Sequence, residues 1–544
     1  MSLSLSKLSQ FNGRPGPVLL VIMDGVGIGK RDESDAVYLA QPVNLNALMK
    51  APLYTQLRAH GTAVGMPSDE DMGNSEVGHN ALGAGRVFDQ GAKLVAGSIE
   101  SGAIFKTEIW NKLVGGAKAS NKCFHFIGLL SDGNVHSHIE QMFALVRRCA
   151  KDGVKNVAIH GLLDGRDVYE KSALTYVEKT EALLAEINQA NPGFNYRFAS
   201  GGGRMVVTMD RYNADWRVVE RGWKAHVLGE ARQFASAKEA VETYYKEDPK
   251  MTDQYMDSFV IARNGAPVGT IQDGDSVVCF NFRGDRAIEI SKAFQEADFK
   301  EFDRRRCPAV LYAGMMEYDG DLHIPSNYLV TPPAINRTIG EYLCGTGLTS
   351  FAISETQKYG HVTYFWNGNR SGYIDQKLET YVEVPSDKVR FDSAPAMKAV
   401  EITDKAIELL KTGKYKFGRL NLANGDMVGH TGVPEAIISA VKTVDVCLGR
   451  LIEVVKAQNG IVVVTADHGN ADEMFTVKKG VKTVSTAHSL NQVPFAIIDP
   501  ANHGEYQMAK VEKPGLANVA ATVINLLGYQ APADYAPSLI SFNK

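Results

Sequence analysis

Asp467 and His468 stand side by side in "VTADHGN", at the end of a run of β-branched residues. On a strand they would face opposite sides, but where the chain turns both can reach one ion. "NGDMVGHTG" sets Asp426 and His430 four residues apart among glycines that permit tight backbone. At that spacing both reach one side of a turn. "IMDGVG" adds Asp24 and "STAHSLNQVPF" adds His488. Carboxylate oxygens and imidazole nitrogens together suit Mn²⁺, Zn²⁺, Co²⁺ or Fe²⁺. No cysteine lies in these turns, which disfavours a thiolate zinc site. Ser75, in "DMGNSEVGHNALGAG", is the one hydroxyl in a polar, glycine-spaced run that also holds His79. Alone, such a serine starts a helix. Beside a divalent cation its pKa falls and it becomes a nucleophile at neutral pH. A second cation would help to clamp a phosphoryl oxygen and neutralise transition-state charge. Taken singly, Asp24 serves equally well as a turn cap, and Asp426 with His430 as a surface pair. Jointly, three such turns and a serine point to metal-assisted nucleophilic chemistry.

The elements that must position these residues are visible as short apolar runs, each ending in an acidic or glycine-rich turn. "PVLLVIMDGVG", "FGRLNLANGDMVGHTG" and "GIVVVTADHGN" carry the turns just described. "KCFHFIGLLSDGNVHSH", "VKNVAIHGLLDGRD" and "SVVCFNFRGDRA" follow the same plan. Between the runs lie amphipathic stretches such as "PEAIISAVKTVDVCLGRLIEVVKAQ", with apolar residues three and four apart. Continuous apolar strands alternating with such helices predict an α/β fold with largely parallel sheets. Ligands then gather beyond the carboxyl ends of the strands, where the acidic and histidine-rich turns fall.

The chain's 544 residues are too many for one core and predict two or three domains. Hydrophobic residues make up 44% and charged residues 22%, close to a soluble globular average. A net charge of −4 gives no general basicity for nucleic acid or an anionic membrane. The six cysteines are scattered without a CxxC pair, which reads as buried, reduced thiols. No signal-peptide core or membrane-length apolar run is present, and a cytoplasmic protein is expected. Candidate boundaries lie near "GRVFDQGAKLV" and at Pro332-Pro333 in "YLVTPPAINRTIG", where no strand can continue.

"MDGVG", "GNSEVGHNALGAGR", "SDGNVHSH", "LDGRD", "NFRGDRA", "ETQKYGHVTYFWNG", "GDMVGHTG", "TADHGN" and "TAHSLNQVPF" occur in this order across nearly the whole chain. The set resembles the cofactor-independent phosphoglycerate mutases of the alkaline phosphatase superfamily. That resemblance implies an alkaline-phosphatase-like three-layer α/β domain, residues 1–88 and 333–544, with a largely parallel sheet. An α/β phosphotransferase domain, residues 89–332, is inserted within it and holds the substrate. It implies one metal on Asp426, His430 and His488, and another on Asp24, Ser75, Asp467 and His468. Mn²⁺ or Co²⁺ is the leading expectation for both, with Zn²⁺ or Fe²⁺ as alternatives and no 2,3-bisphosphoglycerate. Lys358 resembles the lysine near the transferring phosphoryl group. His136, Arg166, Asp167, Arg204, Arg211, Arg283 and Arg286 resemble the substrate pocket, with Asp167 as the candidate base. 3-Phosphoglycerate carries a carboxylate and a phosphate, and arginine forks bind both in bidentate fashion. The implied reaction interconverts 3- and 2-phosphoglycerate through phosphoserine at Ser75, in a monomer, with a closing motion hinged at the two linkers to keep water out. A metal-dependent phosphomonoesterase would share every metal ligand but would not need the arginines. Two departures, Gly284 in "NFRGDR" and Asn369 in "FWNGN", resemble the plant and protozoan branch of the family.

Overall fold

A computed structural model describes residues 3–543 apart from 120–121, 212, 320–321, 334 and 479–480. The chain forms two compact units, one made of Met1–Gln90 with Pro333–Lys544 and the other of Gly91–Pro332. The first division follows Gln90 because its N–H donates back to Gly65 O at 3.1 Å. At the second division, the strand Tyr328–Val330 ends before the two prolines. Thr338 and Glu341 then open the helix Ile339–Gly345 with a capping box.

In the discontinuous unit, seven strands form one sheet. Their order is Glu379–Val384, Ser350–Glu355, Phe417–Leu422, Val18–Met23, Ile461–Thr465, Val493–Ile498 and Tyr54–Leu57. Only Val493–Ile498 runs against the rest. Val18–Met23 is buried at every position, as the uninterrupted run VLLVIM requires of a strand covered on both faces. It sits between partners from distant parts of the chain, with Val18 opposite both Phe417 and Ile461. This register brings Met23 level with Leu422, and Ile22 level with Thr465. The turns at Asp24, Asp426 and Asp467 therefore leave the same edge of the sheet.

The inserted unit has its own nine-stranded sheet. Cys123–Leu129, Asn156–Leu163 and Asn195–Gly203 are laid side by side in parallel. The chain then returns to place Ser276–Cys279 on the other flank of Cys123–Leu129, followed outward by Leu311–Met316 and Tyr328–Val330. The strand order thus reverses beside Cys123–Leu129, where α/β sheets open a crevice at their carboxyl ends. "SDGNVHSH" and "NFRGDR" follow the two strands that flank this reversal.

The cysteine expectation needs correction. All six are free, but Cys307 is exposed and Cys344 only partly buried. Among the described residues, no helix is long and apolar enough to cross a membrane.

Candidate metal centre and arginine pocket

Ser75 begins the helix Ser75–Ala84, and the capping residue is its neighbour. Asn74 accepts a hydrogen bond from Val77 N at 3.1 Å. That leaves Ser75 at the first helical position, on the positive end of the helix. Gly78 lets this helix press onto the Asp467 turn: a Cβ there would lie 2.8 Å from Asp467 O and 3.0 Å from its Cβ. The Ser75 hydroxyl thereby sits 2.9 Å from His468 Nε2 and 3.4 Å from Asp24 Oδ1.

The metal-type side chains fall into two buried groups, Asp426 with His430 and His488, and Asp24 with Asp467 and His468. In each group the ligand atoms lie within 4.8 Å of one another. Asp426 and His430 are brought together by the helix Asn424–Gly429, which places residues four apart on one face. His488 arrives through a bridge between Gly469 and Ser489. Its ring stacks on His468 with centroids 3.9 Å apart.

The hydrogen bonds behind the rings decide which nitrogens face inward. His430 Nδ1 donates to Thr486 O at 2.5 Å, His488 Nδ1 to Gly73 O at 2.7 Å, and His468 Nδ1 to Gly469 O at 3.3 Å. Carbonyls only accept, so in the neutral rings each Nδ1 holds the proton and each Nε2 presents a lone pair. His430 Nε2 and His488 Nε2 then face each other at 3.1 Å, and lie 2.8 and 3.1 Å from Asp426 Oδ1. Three acceptors converging on one point fit a cation. In the other group, Asp467 Oδ2 is buried without a hydrogen-bond partner among the described residues. Burial and the neighbouring Asp467 carboxylate push Asp24 up to about 7. A divalent ion would relieve both conditions.

Lys358 follows the strand Ser350–Glu355 and is buried between the two groups. Its Nζ lies 2.8 Å from Asp24 Oδ1 and 2.7 Å from Asp426 Oδ2, and it donates to Ser75 Oγ. Three orienting residues escaped sequence reasoning. Asn421 donates to Asp24 Oδ2 at 2.6 Å, and Asn470 to Asp426 Oδ1 at 3.3 Å. His79 donates from Nδ1 to Ser75 O at 2.8 Å and lies 3.4 Å from Asp467 Oδ2. Asn421 gave a signal, being a polar residue inside the buried strand FGRLNL. Asn369, which departs from the family pattern, has φ +66° and accepts from Asn80 at 3.1 Å. That left-handed conformation is one that glycine and asparagine share.

In the inserted unit, Arg166, Arg204, Arg211, Arg283 and Arg286 are all buried, as are His136 and Asp167. They are held by two aspartates that sequence reasoning passed over. Asp285 accepts from Arg211 Nη1 at 2.9 Å and lies 3.0 Å from Arg283 Nε and 3.6 Å from His136 Nδ1. Burial alone would push this carboxyl up, but Arg283, Arg211 and Arg286 hold it at about 2. Asp164 accepts from Arg204 Nη1 at 2.9 Å and from the N–H groups of Arg166 and Asp167 at 3.1 and 3.0 Å. Burial and the Asp167 charge push Asp164 upward. Asp167 pairs with the same Arg204 nitrogen. Arg286 Nη1 donates to Met209 O at 2.6 Å, while its Nε and Nη2 have no hydrogen-bond partner among the described residues. Burial and the surrounding guanidiniums drive His136 well below its ordinary value, so the ring is neutral. His138 does separate work as the N-cap of the helix Ile139–Lys151. The signal for both aspartates lay inside the motifs, as the unclaimed acids of "LDGRD" and "FRGDR".

Two carboxylate-imidazole groups around a serine, at the carboxyl edge of a parallel sheet, define a metal-dependent α/β enzyme. The family model of the Metalloenzyme superfamily matches residues 16–531. The 2,3-bisphosphoglycerate-independent phosphoglycerate mutase of Trypanosoma brucei brucei is 52% identical, over 96% of this chain and 97% of its own. That of Zea mays is 49% identical, over 96% of this chain and 95% of its own. A crystal structure of Leishmania mexicana phosphoglycerate mutase at low cobalt concentration matches with a TM-score of 0.97 at 51% identity, over 99% of this chain and 100% of that one. The chain belongs to the 2,3-bisphosphoglycerate-independent phosphoglycerate mutases.

Proposed function

We propose that the protein interconverts 3-phosphoglycerate and 2-phosphoglycerate through a phosphoserine at Ser75. The observation that carries this reading is the gathering of buried arginines in the inserted unit. Five buried guanidiniums gather there around Asp164, Asp167 and Asp285. Such a cluster suits a guest with a carboxylate and a phosphate, each of which arginine engages in bidentate fashion. A phosphomonoesterase needs the serine and its metal groups but has no use for this second set.

In this reading Asp24, Asp467 and His468 would hold one divalent ion and Asp426, His430 and His488 the other. Bound there, Mn²⁺ or Co²⁺ would acidify the Ser75 hydroxyl and offset negative charge on the phosphoryl oxygens. Ser75 Oγ attacks phosphorus in line, the bond from phosphorus to the glycerate oxygen breaks, and that oxygen takes up the proton that Ser75 gives up. Lys358, already on Ser75 Oγ, neutralises the charge that develops on the phosphoryl group. The arginines keep the glycerate carboxylate while the molecule turns. Its other hydroxyl then gives its proton to Asp167 and takes the phosphoryl group back as the Ser75 Oγ–phosphorus bond breaks, and the proton on Asp167 is returned to Ser75 Oγ. Arg204 keeps Asp167 oriented for that role. The reading extends to a cytoplasmic monomer.

The test is incubation with 3-phosphoglycerate and Mn²⁺ or Co²⁺ in the absence of 2,3-bisphosphoglycerate. 2-Phosphoglycerate is the expected product, and inorganic phosphate in its place would overturn the reading. Ser75→Ala should abolish turnover while the Asp426 group still binds metal; normal activity in that variant would sink the nucleophile assignment.

A further inference from the structure

Beneath the arginine pocket runs a continuous line of buried polar side chains that the mechanism above does not use. It starts at Asp275, whose Oδ2 lies 3.1 Å from His125 Nε2. His125 Nδ1 meets His160 Nε2 at 2.9 Å, and His160 Nδ1 meets Ser200 Oγ at 2.6 Å. Ser200 Oγ meets His226 Nδ1 at 2.7 Å, and His226 Nε2 meets Thr208 Oγ1 at 2.8 Å. The three histidines are fully buried and the two hydroxyls 1% exposed.

The fold builds this line deliberately. His125, His160 and Ser200 come from three adjacent parallel strands. An irregularity between Ile159 and His160 shifts the register so that His160 pairs with Ser200. Bulges of this kind re-aim side chains near functional sites. Every link finds one donor and one acceptor in either of two orders. With His125 neutral, protons point from Thr208 toward Asp275; with one more proton on His125, at Nδ1, the four links from His125 to Thr208 reverse while Nε2 still donates to Asp275. No link need be broken in either state, so the line is a satisfied network in a low-dielectric core.

Its far end lies in "RMVVTMDR", between Arg204 and Arg211. Thr208 has φ +69°, a conformation that a β-branched residue rarely adopts. Two contacts pin it there, its N–H on Val218 O at 2.8 Å and its hydroxyl on His226. The next carbonyl, Met209 O, is the acceptor for Arg286. Strain of this kind persists where the surroundings over-determine it, and it clusters at binding sites. We propose that the His125–His160–Ser200–His226 line is a positioning device for the arginine pocket, clamping Thr208 so that Met209 O holds Arg286 and Arg211, three residues beyond Thr208, meets Asp285. Thr208 and the histidines are positioning residues. The inference rests on the pocket's holding phosphoglycerate.

The experiment compares Thr208→Val, which keeps the shape and removes the hydroxyl, with Thr208→Ser, which keeps the hydroxyl. His160→Gln tests a remote link, and Arg286→Ala serves as the reference. KM and kcat for 3-phosphoglycerate are measured on the metal-loaded full chain, with thermal melts to confirm folding. Thr208→Val and His160→Gln should raise KM about tenfold with kcat changed less than threefold, and Thr208→Ser should stay within about twofold of the parent. A purely structural role would lower the melting temperature and leave KM alone. If Arg286→Ala raises KM but folded Thr208→Val and His160→Gln do not, the positioning role is overturned. If Arg286→Ala itself leaves KM unchanged, the pocket reading fails and the positioning role falls with it.

Discussion

Replacing Asp285 by asparagine tests the electrostatics of the arginine pocket most directly. The substitution keeps the side-chain shape and removes one negative charge from among Arg211, Arg283 and Arg286. Held at about 2 against an ordinary 3.8, the carboxylate contributes roughly 2–3 kcal/mol at neutral pH. The sign follows from its depressed value. That contribution is complete above about pH 4 and is lost as the pH falls toward 2. Removing one partner of a buried ion pair strands the others, which typically costs about 3–5 kcal/mol. Asp285→Asn should therefore destabilise the inserted unit by about 3 kcal/mol. For a domain of this size that lowers the melting temperature by roughly 6–12 °C. Denaturant unfolding with and without 3-phosphoglycerate measures it. Without their carboxylate clamp Arg211 and Arg283 lose their fixed geometry, and kcat/KM should fall about 100-fold. An Asp285→Asn protein with parental kcat/KM and unfolding free energy within about 0.5 kcal/mol of the parent would refute the argument.

Three further expectations follow. Lys358→Ala removes the ammonium shared by Asp24, Asp426 and Ser75; kcat should fall about 10²–10³-fold while metal content measured by elemental analysis stays the same. Because Asp24 is held up near 7, metal binding to its group must displace a proton as the pH falls. Mn²⁺ affinity measured by calorimetry should drop about fivefold between pH 7 and pH 6, and Asp24→Asn should remove that part of the dependence; a flat profile would contradict it. Gly78→Ala drives a methyl group against the Asp467 backbone, 2.8 Å from its carbonyl. Weaker Mn²⁺ binding by about tenfold is expected with a fold that melts within a few degrees of the parent, since alanine also favours the helix by about 1 kcal/mol.

The alternation of apolar runs and amphipathic helices was enough to read an α/β chain with parallel sheets, because strands covered on both faces leave an unbroken hydrophobic signature. VLLVIM and IVVVT announce themselves in this way. The turns after them were legible as chemistry because carboxylates and imidazoles have little reason to follow a buried strand unless something binds them. The cysteines were less legible: burial is a property of the packed neighbours, and Cys307 has none that cover it. Asp285 and Asp164 were hidden because an acid beside an arginine in sequence looks like local charge balance. Only the folded pocket shows that one carboxylate serves guanidiniums 74 residues apart in the case of Arg211.

What the sequence determined alone was the inventory: a serine, the metal-type side chains, a buried-strand pattern and a recurring set of arginines. What the tertiary structure decided was direction. Carbonyls behind His430, His468 and His488 set which ring nitrogen faces inward. Asn74, by taking the cap, leaves Ser75 at the first helical position. Strand register joined His125, His160 and Ser200 into one line, although 75 residues separate its ends in the sequence. Residue types fix what a side chain can donate or accept. Which partner it meets depends on hydrogen bonds and registers between segments hundreds of residues apart, and those exist only once the sheets have formed.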